Sequence, residues 1–146
     1  MQKTESVFHT ELRAGQIITN RELMRIFRCA CEGGIRPSNK TNTIVLVLNH
    51  TKVAHDDDWH GNILWFQGAG SKGDQQLGKG RNRTLLDAFE TGRPVYLFEV
   101  YKGGEYTLKG PVKLSGEPFQ RDCPGIDGHM RKVWVFPLEI EDPAGV

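Results

Sequence analysis

RNRTLLDAFETGRPVYLFEVYKGGEYTLKGPVKL, residues 81–114, carries a helix and two strands with their punctuation. Leu85, Leu86 and Phe89 recur at helical spacing and predict an inward face. Gly92 ends the helix. Pro94 opens VYLFEVY, a β-branched and aromatic run that reads as a strand. Gly103-Gly104 supplies a hairpin turn, and EYTLKGPVKL returns as the partner strand. A helix followed by a hairpin predicts an α+β chain with a mainly antiparallel sheet.

Working outward, residues 18–34 (ITNRELMRIFRCACEGG) predict a second helix. Thr19 and Glu22 form a capping box, Leu23, Ile26, Phe27 and Ala30 repeat at helical spacing, and Gly33-Gly34 stop it. IRPSNKTN (35–42) reads as a polar loop. TIVLVLN (43–49) is continuously apolar and predicts a buried strand. NILWFQG (62–68) predicts another, followed by the glycine-rich loop AGSKGDQQLGKG (69–80). SGEPFQRDCPGIDG (115–128) reads as a loop and HMRKVWVFPLEI (129–140) as the fifth strand. Five strands and few helices predict a twisted, barrel-like α+β domain.

The 146 residues suit one domain with a core over about 15–140 and a candidate linker start at EDPAGV, 141–146. With 38% hydrophobic and 25% charged residues, the composition is globular rather than disordered. No apolar run approaches the roughly 20 residues that cross a bilayer, and MQKTESVFHTEL lacks a signal-peptide core. The expected location is therefore the cytoplasm, with no membrane partner.

The formal net charge is only +1, so distribution matters more than the sum. Lys72, Lys79, Arg81 and Arg83 face a single acid, Asp74, between residues 71 and 83, whereas Asp56–Asp58 is locally acidic. Of three cysteines, Cys29 and Cys31 are two apart in the expected helix and diverge by about 200°. They make a poor zinc pair, and reduced structural thiols are expected.

Most catalytic patterns are missing. There is no H-x-E with P-C-x-x-C of a zinc deaminase, no G-x-x-x-x-G-K-[ST] phosphate loop, and no G-x-S-x-G serine elbow. His55, Asp56, Asp57, Asp58 and His60 are suitable metal ligands by type. One nuclease pattern needs E-x-K, but Glu99 and Lys102 are spaced E-x-x-K, which puts them on opposite faces of a strand. A small metal-dependent nuclease using Asp56, Asp57 and His60 stays open as an alternative.

DDDWHGNILWFQGAGSKGDQQLGKGRNRTLLDAFETGRPVYLFEV, residues 56–100, resembles the SRA (SET and RING associated) domain family, readers of modified cytosine. The carriers are an acid before HGN, an aromatic shortly after, GAG, GDQQL, an asparagine and helix, then GRPVYLF. EYTLKGPVKL and RKVWVFPLEI resemble later strands of the family. CEGGIRPSNKTNTIVLVLNH is most similar to the bacterial branch, whose members often carry an HNH nuclease after the reader. The likeness covers about residues 15–140.

The resemblance implies a PUA-related, partly closed barrel that binds double-stranded DNA and flips a modified cytosine into a pocket, serving modification-dependent restriction. The pocket would use His55 and Phe66 as stacking groups, with Trp65 in place of Phe66 if the register shifts by one. Asp57 would read the cytosine amino group, with Asp56 and Asp58 as alternatives. Gln67, Gly68 and Ala69 would meet the rest of the base edge. Arg36, Lys40, Lys72, Lys79, Arg81 and Arg83 would contact the DNA backbone or fill the vacated stack. Asp74 and Gln75 are expected to fix the loop, and Trp59 and Trp134 to pack. No cofactor, metal or catalytic residue is implied, and any nuclease would be fused or associated. A PUA-like RNA-binding module is the remaining alternative.

Overall fold

The structure, a computed structural model, describes residues 8–52 and 58–141. Its elements run β1 (Ile17–Ile18), α1 (Asn20–Phe27), β2 (Ile35–Ser38), β3 (Thr43–Asn49), β4 (Trp59–His60), β5 (Ile63–Gln67), α2 (Gly80–Thr91), β6 (Val95–Lys102), β7 (Glu105–Leu114), β8 (Phe119–Pro124) and β9 (Met130–Ile140). The strands join in the order β2-β3-β6-β7-β9-β5-β4, with β1 on β7 and β8 on β9. The class is α+β. The sheet has two open ends, so the barrel is only partly closed. Among the described residues no helix is long and apolar enough to cross a membrane.

β3 is buried along almost its whole length because it separates two cores. Ile44, Leu46 and Leu48 join Leu64, Phe66, Leu85, Leu97, Phe136 and Leu138 on one face. Val45 and Val47 join Leu23, Phe27, Phe98, Val100, Tyr106 and Leu108 on the other. Each helix covers one face, α2 through Leu85 and Ala88 and α1 through Leu23 and Phe27. A strand covered on both sides must be apolar at consecutive positions, which accounts for TIVLVLN.

The sheet turns its corner on β7. This strand pairs with β6 as far as Pro111 and with β9 from Val112. Gly110 sits at the change, with φ +133° and room for a Cβ only 3.1 Å from Ile140 Cγ2.

Several expectations need correction. The sheet is mainly antiparallel, as expected, but β3 pairs with β6 in parallel, Ile44 opposite Val95 and Leu46 opposite Leu97. The chain crosses over between them through β4, β5 and α2. Residues 35–38 form a strand, not a loop: Ile35 pairs with Leu46 and is buried. Pro37 is tolerated because β2 is an edge strand. Residues 119–124 also form a strand, paired along β9 from Phe119↔Val135 to Pro124↔Met130. The first helix ends at Phe27, where Arg28 takes a left-handed conformation (φ 57°), well before Gly33. Cys29 and Cys31 therefore lie beyond it, both free, and burial raises the Cys29 thiol pKa.

Replacing Gly110 by alanine would force a side chain into both a left-handed backbone and the Ile140 contact. We expect Gly110→Ala to lower unfolding free energy by about 1–3 kcal/mol, measured by urea denaturation.

Candidate nucleic-acid interface

β5 delivers Gln67 into the turn Gly68-Ala69-Gly70, and two buried amides fasten that turn. Gln75 Nε2 donates to the Gly68 and Gly70 carbonyls at 2.8 and 2.9 Å, while its Oε1 accepts from Trp134 N–H at 2.9 Å. Asn82 Oδ1 accepts from Ala69 N–H at 2.7 Å, and its Nδ2 donates to the Ala69 and Gln76 carbonyls. The fit is close: a Cβ on Gly68 would lie 2.7 Å from Asn82 Oδ1. Asp74 Oδ1 accepts from Lys132 N–H at 2.8 Å. The GDQQL segment and Asn82 thus fasten the loop, as expected for Asp74 and Gln75.

Beside the turn lies an open cavity of about 580 Å³, in the range of sites that hold a small ligand. Phe66, Gln67 and Gly68 form one wall. Arg121 and Cys123 of β8 with Arg131 of β9 form another, and Gly34 with Val47 and Leu48 a third. Asp58 also lines it. Its carboxylate is 3.7 Å from Arg121 Nη2, and the Arg121 guanidinium lies 5.8 Å from the Trp65 ring centre.

Phe66 is only 3% exposed and belongs to the core as well as to the cavity wall. Trp65 points away, as strand alternation requires; it stacks on His60 at 3.8 Å and meets Phe119 edge-on. Gln67 lines the cavity, with Oε1 3.8 Å from Cys123 Sγ. The Gly68 N–H donates to Trp134 O at 2.8 Å, so with Ala69 N–H on Asn82 this turn gives shape to the wall while its amides are engaged. His55, Asp56 and Asp57 lie outside the described residues.

The cations separate into two groups. Arg36 is 4% exposed and donates to Gly33 O, Asn20 Oδ1 and Ala30 O, with its guanidinium over Tyr106. It lines a smaller neighbouring cavity of about 370 Å³ that shares Gly34 and Val47 with the first. Arg81 Nη1 donates to Ile35 O at 2.8 Å and ties α2 to β2. Lys40, Lys72, Lys79 and Arg83 are exposed; Arg83 pairs with Asp87 at 2.8 Å.

Glu99 of β6 is 1% exposed. Its Oε2 accepts from His50 Nε2 at 2.6 Å and Trp59 Nε1 at 3.4 Å, and Oε1 lies 3.5 Å from Lys109 Nζ. Burial pushes its pKa up, but hydrogen bonds from His50, Tyr101 and Trp59, with the Lys109 charge, outweigh this and hold it below the ordinary value. Burial and the same carboxylate push Tyr101 up to about 12. Lys102, three residues further along in E-x-x-K, is exposed and pairs with Glu105 instead. Among the described residues no three histidine, cysteine or carboxylate side chains converge as metal ligands.

Residues 14–143 match the family model described as ScoMcrA-like, SRA domain. The chain belongs to this SRA domain family. Solved structures agree on the fold. The SRA domain has a TM-score of 0.73 and 16% identity to the sulfur-binding and SRA domains of ScoMcrA complexed with phosphorothioated DNA, covering 89% of this chain and 40% of that one. Against the Type IV phosphorothioation-dependent restriction endonuclease ScoMcrA the values are 0.72 and 15%, over 89% and 28%. The SRA domain of SUVH5 with hemimethylated CG DNA gives 0.65 and 21%, over 97% and 95%. The chain thus spans well under half of the two ScoMcrA chains. No curated protein matches it.

Sequence reasoning about this SRA domain misses Arg121 and Cys123, because proline and charges hide β8, and Arg131, because no motif marks it on β9. It also missed Glu99 as a collector of donors. The only signal there was an acid inside an apolar strand, which demands partners when buried.

Two outcomes test the site's construction. Asn82→Ala leaves the half-buried Ala69 N–H without its acceptor and should cost about 1–3 kcal/mol in urea denaturation. Glu99 has a folded pKa below its unfolded reference of 4.5, so its contribution is present above that value and lost as pH falls through the folded one. Glu99→Gln should therefore flatten the acid limb of a stability-against-pH profile, with the parent falling more steeply below about pH 5.

Proposed function

We propose that this chain binds double-stranded DNA containing a modified cytosine and holds that base, rotated out of the duplex, in the 580 Å³ cavity. The observation that carries the reading is that Phe66, Gln67 and Asp58 all line one cavity in a chain of the SRA family. An everted cytosine loses its stacking and needs a flat apolar contact and polar groups for its edge. Phe66 supplies the apolar contact, and His55 is the proposed second stacking group. An acid from the 56–58 run accepts from the exocyclic amine, which is how carboxylates read cytosine. Asp57 is the choice by resemblance; Asp58 is the described acid in the cavity wall. Gln67 meets the remaining edge, while the Gly68-Ala69 backbone shapes the wall.

Lys40, Lys72, Lys79 and Arg83 are exposed and suited to phosphates. Arg36 and Arg81 serve the frame through the carbonyls they hold. In this reading the chain binds without a cofactor and does not cut, works in the cytoplasm, and directs a fused or associated nuclease, of HNH type by resemblance, in modification-dependent restriction. Methylated and hydroxymethylated CG DNA in the SUVH5 complexes support a modified base as the ligand class.

The test compares identical duplexes carrying cytosine, 5-methylcytosine, 5-hydroxymethylcytosine or glucosylated cytosine, with a phosphorothioate duplex as a further arm, at one stated salt. At least one modified cytosine should bind more tightly than cytosine. Asp57→Asn or Asp58→Asn should cut that preference about tenfold. Equal affinity for every duplex, or an undiminished preference in both variants, would overturn the reading.

A further inference from the structure

We propose that Ile126 is the wedge that enters the base stack when the target nucleotide leaves it; this rests on the base-eversion reading above. Ile126 is at the tip of the β8–β9 hairpin. Gly128 N–H donates to Gly125 O at 3.0 Å, and Gly125 N–H to His129 O at 2.8 Å. Gly128 takes φ +84°, and Asp127 Oδ1 accepts from His129 N–H. The turn is complete without the Ile126 side chain, and its second position suits proline or a polar residue as well. Yet Ile126 is 79% exposed and Met130, at the foot of the same hairpin, 64%. They are two of the four exposed large apolar side chains among the described residues, the others being Ile17 and Tyr101.

Ile126 also lines the cavity. A duplex laid across the cavity mouth puts the departing nucleotide over the cavity and the gap it leaves beside the rim. Apolar side chains inserted between bases are an established way to hold such a distortion, because they replace lost stacking contact without a charge to desolvate. The cationic alternatives fit less well. The Arg36 guanidinium is held by three acceptors. Lys40 lies in the β2–β3 turn and does not line the cavity. Lys72 follows the cavity residue Ser71, but its ammonium suits a phosphate better than an apolar gap.

The experiment measures duplex affinity for Ile126→Ala, Ile126→Met and Ile126→Lys on the tightest modified duplex, over a salt series. Ile126→Ala should weaken binding about tenfold, with unchanged melting temperature and unchanged salt slope, since an apolar wedge releases no counterions. Ile126→Met should restore most of the affinity and Ile126→Lys should not. The proposal is overturned if Ile126→Ala binds like the parent, as a patch for another protein would, or if lysine restores binding and methionine does not. The parent's own preference for modified over unmodified duplex is a separate reading. Its loss would remove the cytosine assignment while the alanine variant still reports on the wedge.

Discussion

Two side-chain amides, Gln75 and Asn82, hold the Gly68–Gly70 turn, and the cavity depends on that turn staying in place. The pair ties the loop and α2 to the paired ends of β5 and β9. Gln75 reaches from the loop to the Trp134 N–H of β9, Asn82 reaches from the first turn of α2 to Ala69, and both close on the end of β5. Buried amides are costly unless their donors and acceptors are matched, so a satisfied pair selects one arrangement of the backbone around it. Gly68 completes the constraint from the other side, since any Cβ there collides with Asn82.

The chain treats its carboxylates in two opposite ways. Glu99 is surrounded by donors from His50, Trp59, Tyr101 and Lys109. A group so occupied anchors strands and is unsuited to reading a base. His50 follows β3 and Trp59 begins β4, so one carboxylate on β6 ties down the residues on either side of 51–58. Asp58 instead lines the cavity, with its carboxylate 3.7 Å from Arg121 Nη2.

Much of the fold was legible because its strands and helices carry strong periodicity. TIVLVLN, VYLFEVY and RNRTLLDAFETG form the elements their patterns predict. IRPS and FQRDCP were not legible, since a proline and several charges mask strands whose pairing comes from long-range partners, β3 and β9. The parallel β3–β6 register was hidden for the same reason: hairpin signals are local and a crossover is not. At the site, alternation along β5 put Phe66 and Trp65 on opposite faces without saying which faces the cavity, and the fastening role of Gln75 was expected. Arg121 and Ile126 were unreadable because their importance comes from facing a cavity that only the folded sheet creates.

The central claim is that a pyrimidine leaves the duplex and occupies this cavity. A crystal structure of the chain with a duplex carrying a single 5-methylcytosine or 5-hydroxymethylcytosine tests it most directly. We expect the modified nucleotide everted, its ring against Phe66 and its amine on a carboxylate of the 56–58 run. A bound duplex with that base still stacked and paired would contradict it.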